Sequence, residues 1–248
     1  PDGLETVDMS YNMIGELGDW GVHKYLRELN LRGNFISQIG PGIRRNRELR
    51  ILDLSENNIL RIENMEGLAL STLHLAQNRL DSLDGIGSLT KLQALNVRHN
   101  HITSIAALRA EDIPRLRKLC IADNRISQIG EVEGLASFPF LSDLLLAPNP
   151  VAGLPHYQAQ VLHRLPLLRS LDTQLIPAED KVKADLIYGA DVAARREIFE
   201  QLLPEEEFVD RRLVTEEGIA QMEAEQSDHH GDAVPAMRPQ HDRTKAKK

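Results

Sequence analysis

The sequence predicts an α/β solenoid: a curved stack of short repeats with a parallel sheet on its concave side, a helical C-terminal cap and an extended helical tail. Three observations carry that prediction. The frame L-x-x-L-x-L-x-x-N-x-I recurs seven times, with Val, Met or Ile standing in for some of the leucines. Its asparagines, Asn12, Asn34, Asn57, Asn78, Asn100, Asn124 and Asn149, follow one another at intervals of 22, 23, 21, 22, 24 and 25 residues. Aromatic residues make up only 4% of the 248-residue chain. That is few for the core of one large globule, but enough for a stack in which each repeat touches only its neighbours.

The fullest copy runs from Leu49 through Leu52, Leu54 and Asn57 to Ile59, and others begin at Leu26, Leu70, Leu92, Leu116 and Leu141. A weaker first copy starts at Leu4, with Val7, Met9, Asn12 and Ile14 at the framed positions. Within L-x-x-L-x-L the period of two sends the second and third leucines to one face and the residues between them to the other, so each frame encodes a short strand. The asparagine ends that strand. Its amide both donates and accepts, which neither aspartate nor serine reproduces in the same way. The rest of each repeat returns over the outer face as 3₁₀ or irregular turns. Residues 106–110 and 135–138, in the longer repeats, leave room for about one turn of α-helix.

After Asn149 the pattern changes. Tyr157, Val161, Leu162 and Leu165 fall at helical spacing and are followed by Leu168 and Leu171-Asp172. We therefore divide the chain into repeats at 1–152, a cap at 153–176, an acidic helical extension at 177–226 and a polar tail at 227–248. The extension opens with Pro177, Glu179 and Asp180, a helix-start signature. Residues 191–203 form an amphipathic stretch ended by Pro204, whose Ile198, Phe199 and Leu202 need a surface to cover. The tail has no apolar periodicity and is expected to be disordered in isolation.

Composition narrows the function. A formal net charge of −8 argues against direct, nonspecific nucleic-acid binding. The single cysteine, Cys120, cannot form an internal disulfide, which points to a reducing compartment rather than a secreted protein. No apolar run reaches the length of a membrane span, and no signal peptide is visible. The chain opens on Pro1 and enters a repeat by residue 4 without a polar cap, so a preceding segment is expected, since solenoids need capped ends.

The repeated frame resembles that of the leucine-rich repeat family. The short period, with a second apolar beat after each asparagine (Ile36 and Ile39, Ile59 and Ile62, Leu80 and Leu83, Ile102 and Ile105, Ile126 and Ile129), is similar to one intracellular subfamily. That group includes a phosphatase 1 regulatory subunit, a spliceosomal partner of U2 RNA and several ciliary proteins. The segment after Asn149 resembles the subfamily's C-terminal cap, with Gln158 in place of the usual basic residue after the tyrosine. The resemblance implies a non-catalytic protein-binding scaffold. Repeats followed directly by charged helices are similar to ciliary or flagellar axonemal components, radial-spoke and dynein-associated members among them, located in cytoplasm and cytoskeleton. Two alternatives are a phosphatase regulatory subunit and the partner of an RNA-binding subunit. The first is disfavoured because the concave wall here offers no Trp or Phe, whereas the regulator type carries aromatic and acidic contacts there.

No catalytic motif, cofactor signature or metal-ligand spacing stands out. Cys120 has no acid–base partner defined by spacing. His99 and His101 flank a ladder asparagine with no third ligand implied. The candidate contact residues are therefore those the frame leaves free on the inner wall: Asn30, Arg32, Asp53, His74, Asn96, Arg98, Lys118, Asp143 and Leu145. Asp53, His74, Asn96 and Arg98 are expected in one row across adjacent strands. Cys120, Ala122, Leu145 and Ala147 are expected to form a low apolar patch beside them, and Ile51, Asp53 and Ser55 are the free positions of the fullest copy.

Overall fold

A computed structural model describes residues 3–189. Ile198, Phe199 and Leu202, the expected tail-helix contacts, lie outside the described residues, as does the segment from 190 onward.

Seven strands of three residues each form where the frame places them: β1 (Thr6–Asp8), β2 (Glu28–Asn30), β3 (Ile51–Asp53), β4 (Thr72–His74), β5 (Ala94–Asn96), β6 (Lys118–Cys120) and β7 (Asp143–Leu145). They pair in parallel and in chain order, framed residue to framed residue, as in Leu29↔Leu52 and Leu73↔Leu95. The central leucine of each interior strand points into the stack. Leu52, Leu54, Leu73 and Leu75 are fully buried, and one apolar core runs from Leu17 to Ala184.

Two adjacent residues end each strand. The residue before the ladder asparagine is left-handed in six consecutive repeats: Tyr11, Gly33, Glu56, Gln77, His99 and Asp123, with φ between 53° and 68°. Five of the six are not glycine, although a side chain disfavours this conformation. What holds them is the asparagine that follows. Asn100 Nδ2 donates to Leu75 O (2.9 Å) in the preceding repeat and to Val97 O (3.0 Å) in its own. Its Oδ1 accepts from Leu80 N (2.9 Å). Asn34, Asn57, Asn78, Asn124 and Asn149 repeat the scheme. Each amide therefore satisfies backbone groups of two repeats that would otherwise be buried unpaired.

The outer face is built of turns. The 3₁₀ helices are Pro41–Arg45, Ile86–Ser88, Ile129–Ser137 and Pro150–Gly153. Both places expected to hold a turn of α-helix differ. Residues 106–110 form hydrogen-bonded turns, with Leu108 N donating to Ile105 O at 2.9 Å, and residues 135–138 end a long 3₁₀ helix. The tighter 3₁₀ winding rises more per residue, which suits a segment that must cross the back of the stack in few residues.

Beyond the last full repeat, α1 (Tyr157–Arg164) lays Tyr157, Val161 and Leu162 over the core. The cap is more than a helix. Strand β8 (Ser170–Leu171) joins the parallel sheet beside β7, and β9 (Gln174–Leu175) then turns back antiparallel to β8. The two-residue hairpin uses Asp172 and Thr173, both at positive φ (48° and 70°), as a primed turn requires. Finally α2 (Ala178–Tyr188) packs on α1 and buries Ala184. The His163 and Tyr188 rings lie 6.0 Å apart between them.

Candidate protein-binding face

The register sorts the free wall positions into rows. Asp8, Asn30, Asp53, His74, Asn96, Cys120 and Leu145 stand side by side at the third position of successive strands. Thr6, Glu28, Ile51, Thr72, Ala94, Lys118, Asp143 and Ser170 form the row at the first position. Asp53, His74 and Asn96 thus share a row as expected. Arg98 does not: it lies two residues further on, beyond the end of β5, and the row continues instead into Cys120 and Leu145.

Arg32 and Arg98 belong to a different arrangement. Arg32 Nε donates to Glu56 Oε1 (3.0 Å), and Arg98 Nε donates to Asp123 Oδ2 (2.7 Å). In both cases an arginine past the strand end of one repeat reaches the left-handed acid of the next. The small residue before that acid, Ser55 or Ala122, is buried (5% and 1% exposed), so neither belongs to the open wall on which the sequence placed it. The pairing also raises the Arg32 pKa, chiefly through the hydrogen bond to Glu56. Beside Arg98, His99 Nε2 lies 3.2 Å from Asp123 Oδ2.

Several row residues are partly committed to their own backbone. Asp8, Asn30, Asp53 and Asn96 each accept a hydrogen bond from the N–H two residues on, at 2.8, 3.1, 2.8 and 3.2 Å. These Asx turns close the strand end. The Ser10 hydroxyl and N–H hold the Asp8 pKa below its usual value. The signal was present in the sequence: an Asp or Asn at the residue after the second framed leucine recurs in four frames. His74 and Leu145 occupy the equivalent place without that commitment, whereas the Cys120 thiol takes the same kind of backbone hydrogen bond from Ala122.

Those three residues border one open hollow of about 340 Å³ at the C-terminal end of the wall. Lys118 and Asp143 of the first-position row stand at its margin, and Ser170 and Thr173 of the cap complete the lining. Leu145 is half-buried here, giving an apolar floor with a charged margin. Burial pushes the Cys120 thiol pKa up, so near neutral pH it is a neutral wall residue and not a thiolate. Among the described residues no group of His, Cys, Asp and Glu is placed to hold a metal ion, and no helix is long and apolar enough to cross a membrane.

A family model described as leucine-rich repeat matches residues 44–197, more than half of the chain. Among curated relatives, U2 small nuclear ribonucleoprotein A' of Arabidopsis thaliana is 32% identical over 146 residues, covering 58% of this chain and 59% of that protein. Leucine-rich repeat-containing protein 23 of Homo sapiens is 29% identical over 185 residues, covering 74% of this chain and 53% of that protein. The chain thus spans less than two thirds of the length of either. Among solved structures, a chain of the Drosophila melanogaster SNF/U2A' complex superposes with a TM-score of 0.52 at 26% identity, covering 60% of this chain and 86% of that one.

Proposed function

The chain belongs to the leucine-rich repeat family, and from that premise we propose that it is a non-catalytic scaffold, a structural component of a ciliary or flagellar axonemal complex of the radial-spoke or dynein-associated kind. It binds its partner protein through the concave sheet. The observation that carries the binding reading is the hollow at the C-terminal end of the wall, where Leu145, Cys120 and His74 together present apolar and polar surface. Support for the axonemal setting comes from the charged helix α2, which follows the cap directly. That helix carries Glu179 and Asp180 in its first turn.

A second reading makes the chain the partner of an RNA-binding subunit in a ribonucleoprotein. It is favoured by the relatives named U2 small nuclear ribonucleoprotein A' and by the likeness to a chain of the SNF/U2A' complex. One experiment separates the two. A tagged full-length chain is expressed in ciliated cells, and detergent-extracted axonemes are compared with nuclear extract. Retention on axonemes, lost with Leu145→Glu, is expected. Absence from axonemes together with co-purification of an RNA-recognition-motif protein would favour the second reading and sink the first.

A further inference from the structure

A second face of the molecule bears a charge pattern that the concave site does not use. Just before most of the strands the chain makes a turn whose tip is exposed, and the residue two further on leads into the sheet. In the last repeats these turns share a motif: Ile113-Pro114-Arg115-Leu116, Phe138-Pro139-Phe140-Leu141 and Leu165-Pro166-Leu167-Leu168. Proline presets the second position of the turn, and Leu116 N and Leu168 N close it on Ile113 O and Leu165 O (3.3 and 3.2 Å). The buried leucine that follows fixes the turn and leaves the tip, Arg115, Phe140 or Leu167, in solvent. Phe140 and Leu167 are 53% and 65% exposed.

The strand-entry residues form an adjoining row, because Arg117 N donates to Gln93 O, Ser142 N to Arg117 O and Arg169 N to Ser142 O. Parallel strands stand about 4.8 Å apart, so Arg117 and Arg169 are roughly 10 Å from each other on one rim. Upstream on the same rim the cations are neutralised: Arg27 pairs with Glu5 and Arg50 with Glu48, both at 3.1 Å. Downstream, Arg115, Arg117 and Arg169 form no ion pair among the described residues. The neighbouring Asp143 instead accepts from Ser142 Oγ at 2.6 Å. Three unpaired guanidinium groups thus interleave with two exposed apolar side chains, in a chain whose formal net charge is −8.

We propose that this rim is a second docking surface, which takes an acidic segment of a partner protein: its carboxylates on Arg115, Arg117 and Arg169, and an apolar side chain between Phe140 and Leu167. Charge complementarity selects the acidic partner, and the guanidinium fork suits carboxylates in particular. The apolar positions favour a polypeptide over nucleic acid. The Phe140 ring already has Arg117 above one face, 5.6 Å from its centroid, and Leu167 offers no surface for stacking a base.

The test is fluorescence anisotropy on the full chain with a labelled, glutamate-rich peptide of about eight residues carrying one central phenylalanine. The controls are the same peptide with glutamine for glutamate, and a single-stranded RNA oligonucleotide. Saturable binding of the acidic peptide is expected, weakening as salt is raised. It should fall about tenfold or more in the Arg117→Glu, Arg169→Glu double variant and in Phe140→Ser, but stay unchanged in Leu145→Glu, which alters only the concave hollow. Should the charge reversal disturb folding, judged by the thermal melt, Arg117→Gln with Arg169→Gln gives the same reading. No binding of the acidic peptide, equal binding of the glutamine peptide, or tighter binding of the RNA would each overturn the proposal.

Discussion

Tyr157 donates its phenolic O–H to Asp172 Oδ2 at 2.9 Å, while Asp172 Oδ1 accepts from the N–H groups of Leu146 and Ala147 at 2.8 and 2.7 Å. In the interior of the stack the N–H equivalent to that of Leu146 goes to a carbonyl of the next strand, as Ile121 N goes to Leu145 O. At the last repeat the chain turns back at Asp172. A side-chain carboxylate therefore stands in for the missing carbonyl, and Tyr157 fixes its rotamer. Asp172 thus closes the ladder from both sides, its carboxylate accepting from Leu146 and Ala147 and its own N–H donating to Leu144 O at 2.9 Å.

Tyr157→Phe should accordingly destabilise the cap by about 2 kcal/mol, since it removes a hydrogen bond to a charged group at a partly buried site. The effect has a pH signature. Burial, then the Asp172 charge and its hydrogen bond, raise the Tyr157 pKa above the ordinary phenol value. With the folded pKa above the unfolded one, the contribution is present in full below about pH 10 and is lost as the pH rises beyond it. Urea melts at pH 8 and pH 11 check this: the gap between wild type and variant should narrow at the higher pH, and a gap independent of pH would sink the assignment.

Asn100→Ala should cost about 3 kcal/mol, because it strips partners from Leu80 N, Leu75 O and Val97 O in two repeats at once. Asn12→Ala, by contrast, loses only exposed bonds to Met9 O and Ser10 O and should change stability by less than about 1 kcal/mol. Comparable losses in both variants, measured by chemical denaturation, would contradict the two-repeat role of the ladder.

Thr173→Gly should stabilise the protein by up to about 1 kcal/mol. Thr173 is β-branched and sits at φ 70° in the exposed hairpin tip, where glycine carries no steric penalty. A lower thermal midpoint for the variant would mean that its side chain makes a contact worth more than the backbone strain.

Leu54→Ala and Leu145→Glu separate folding from binding. The first truncates a fully buried leucine and should cost about 2–5 kcal/mol. The second lies on the open wall. It should leave the melt within a few degrees of wild type while weakening partner retention about tenfold or more. Arg98→Glu makes a third case: it sets a carboxylate against Asp123 in place of the ion pair, so it should lower stability by about 1 kcal/mol as well as alter the wall. Wild-type binding by Leu145→Glu would show that the hollow is the wrong face.

The sequence by itself determined the repeat number, the strand positions, their parallel register and the ladder. Each of these follows from a local periodicity repeated until only one stacking buries every leucine. It also located the cap helix through Tyr157, Val161 and Leu162, and it named Asp53, His74 and Asn96 as neighbours. Contacts one repeat apart were decided only by the tertiary structure. The frame leaves Arg32, Glu56, Arg98 and Asp123 unconstrained, so nothing local says that each arginine reaches the next repeat's acid, or that Ser55 and Ala122 are buried. Nor does periodicity reveal that Asp172 replaces a backbone acceptor, since that role exists only where the stack ends and the chain reverses. The difference is physical: burial of a periodic apolar face is written in the spacing, whereas polar pairings across about 25 residues depend on which side chains the stack brings within hydrogen-bond reach.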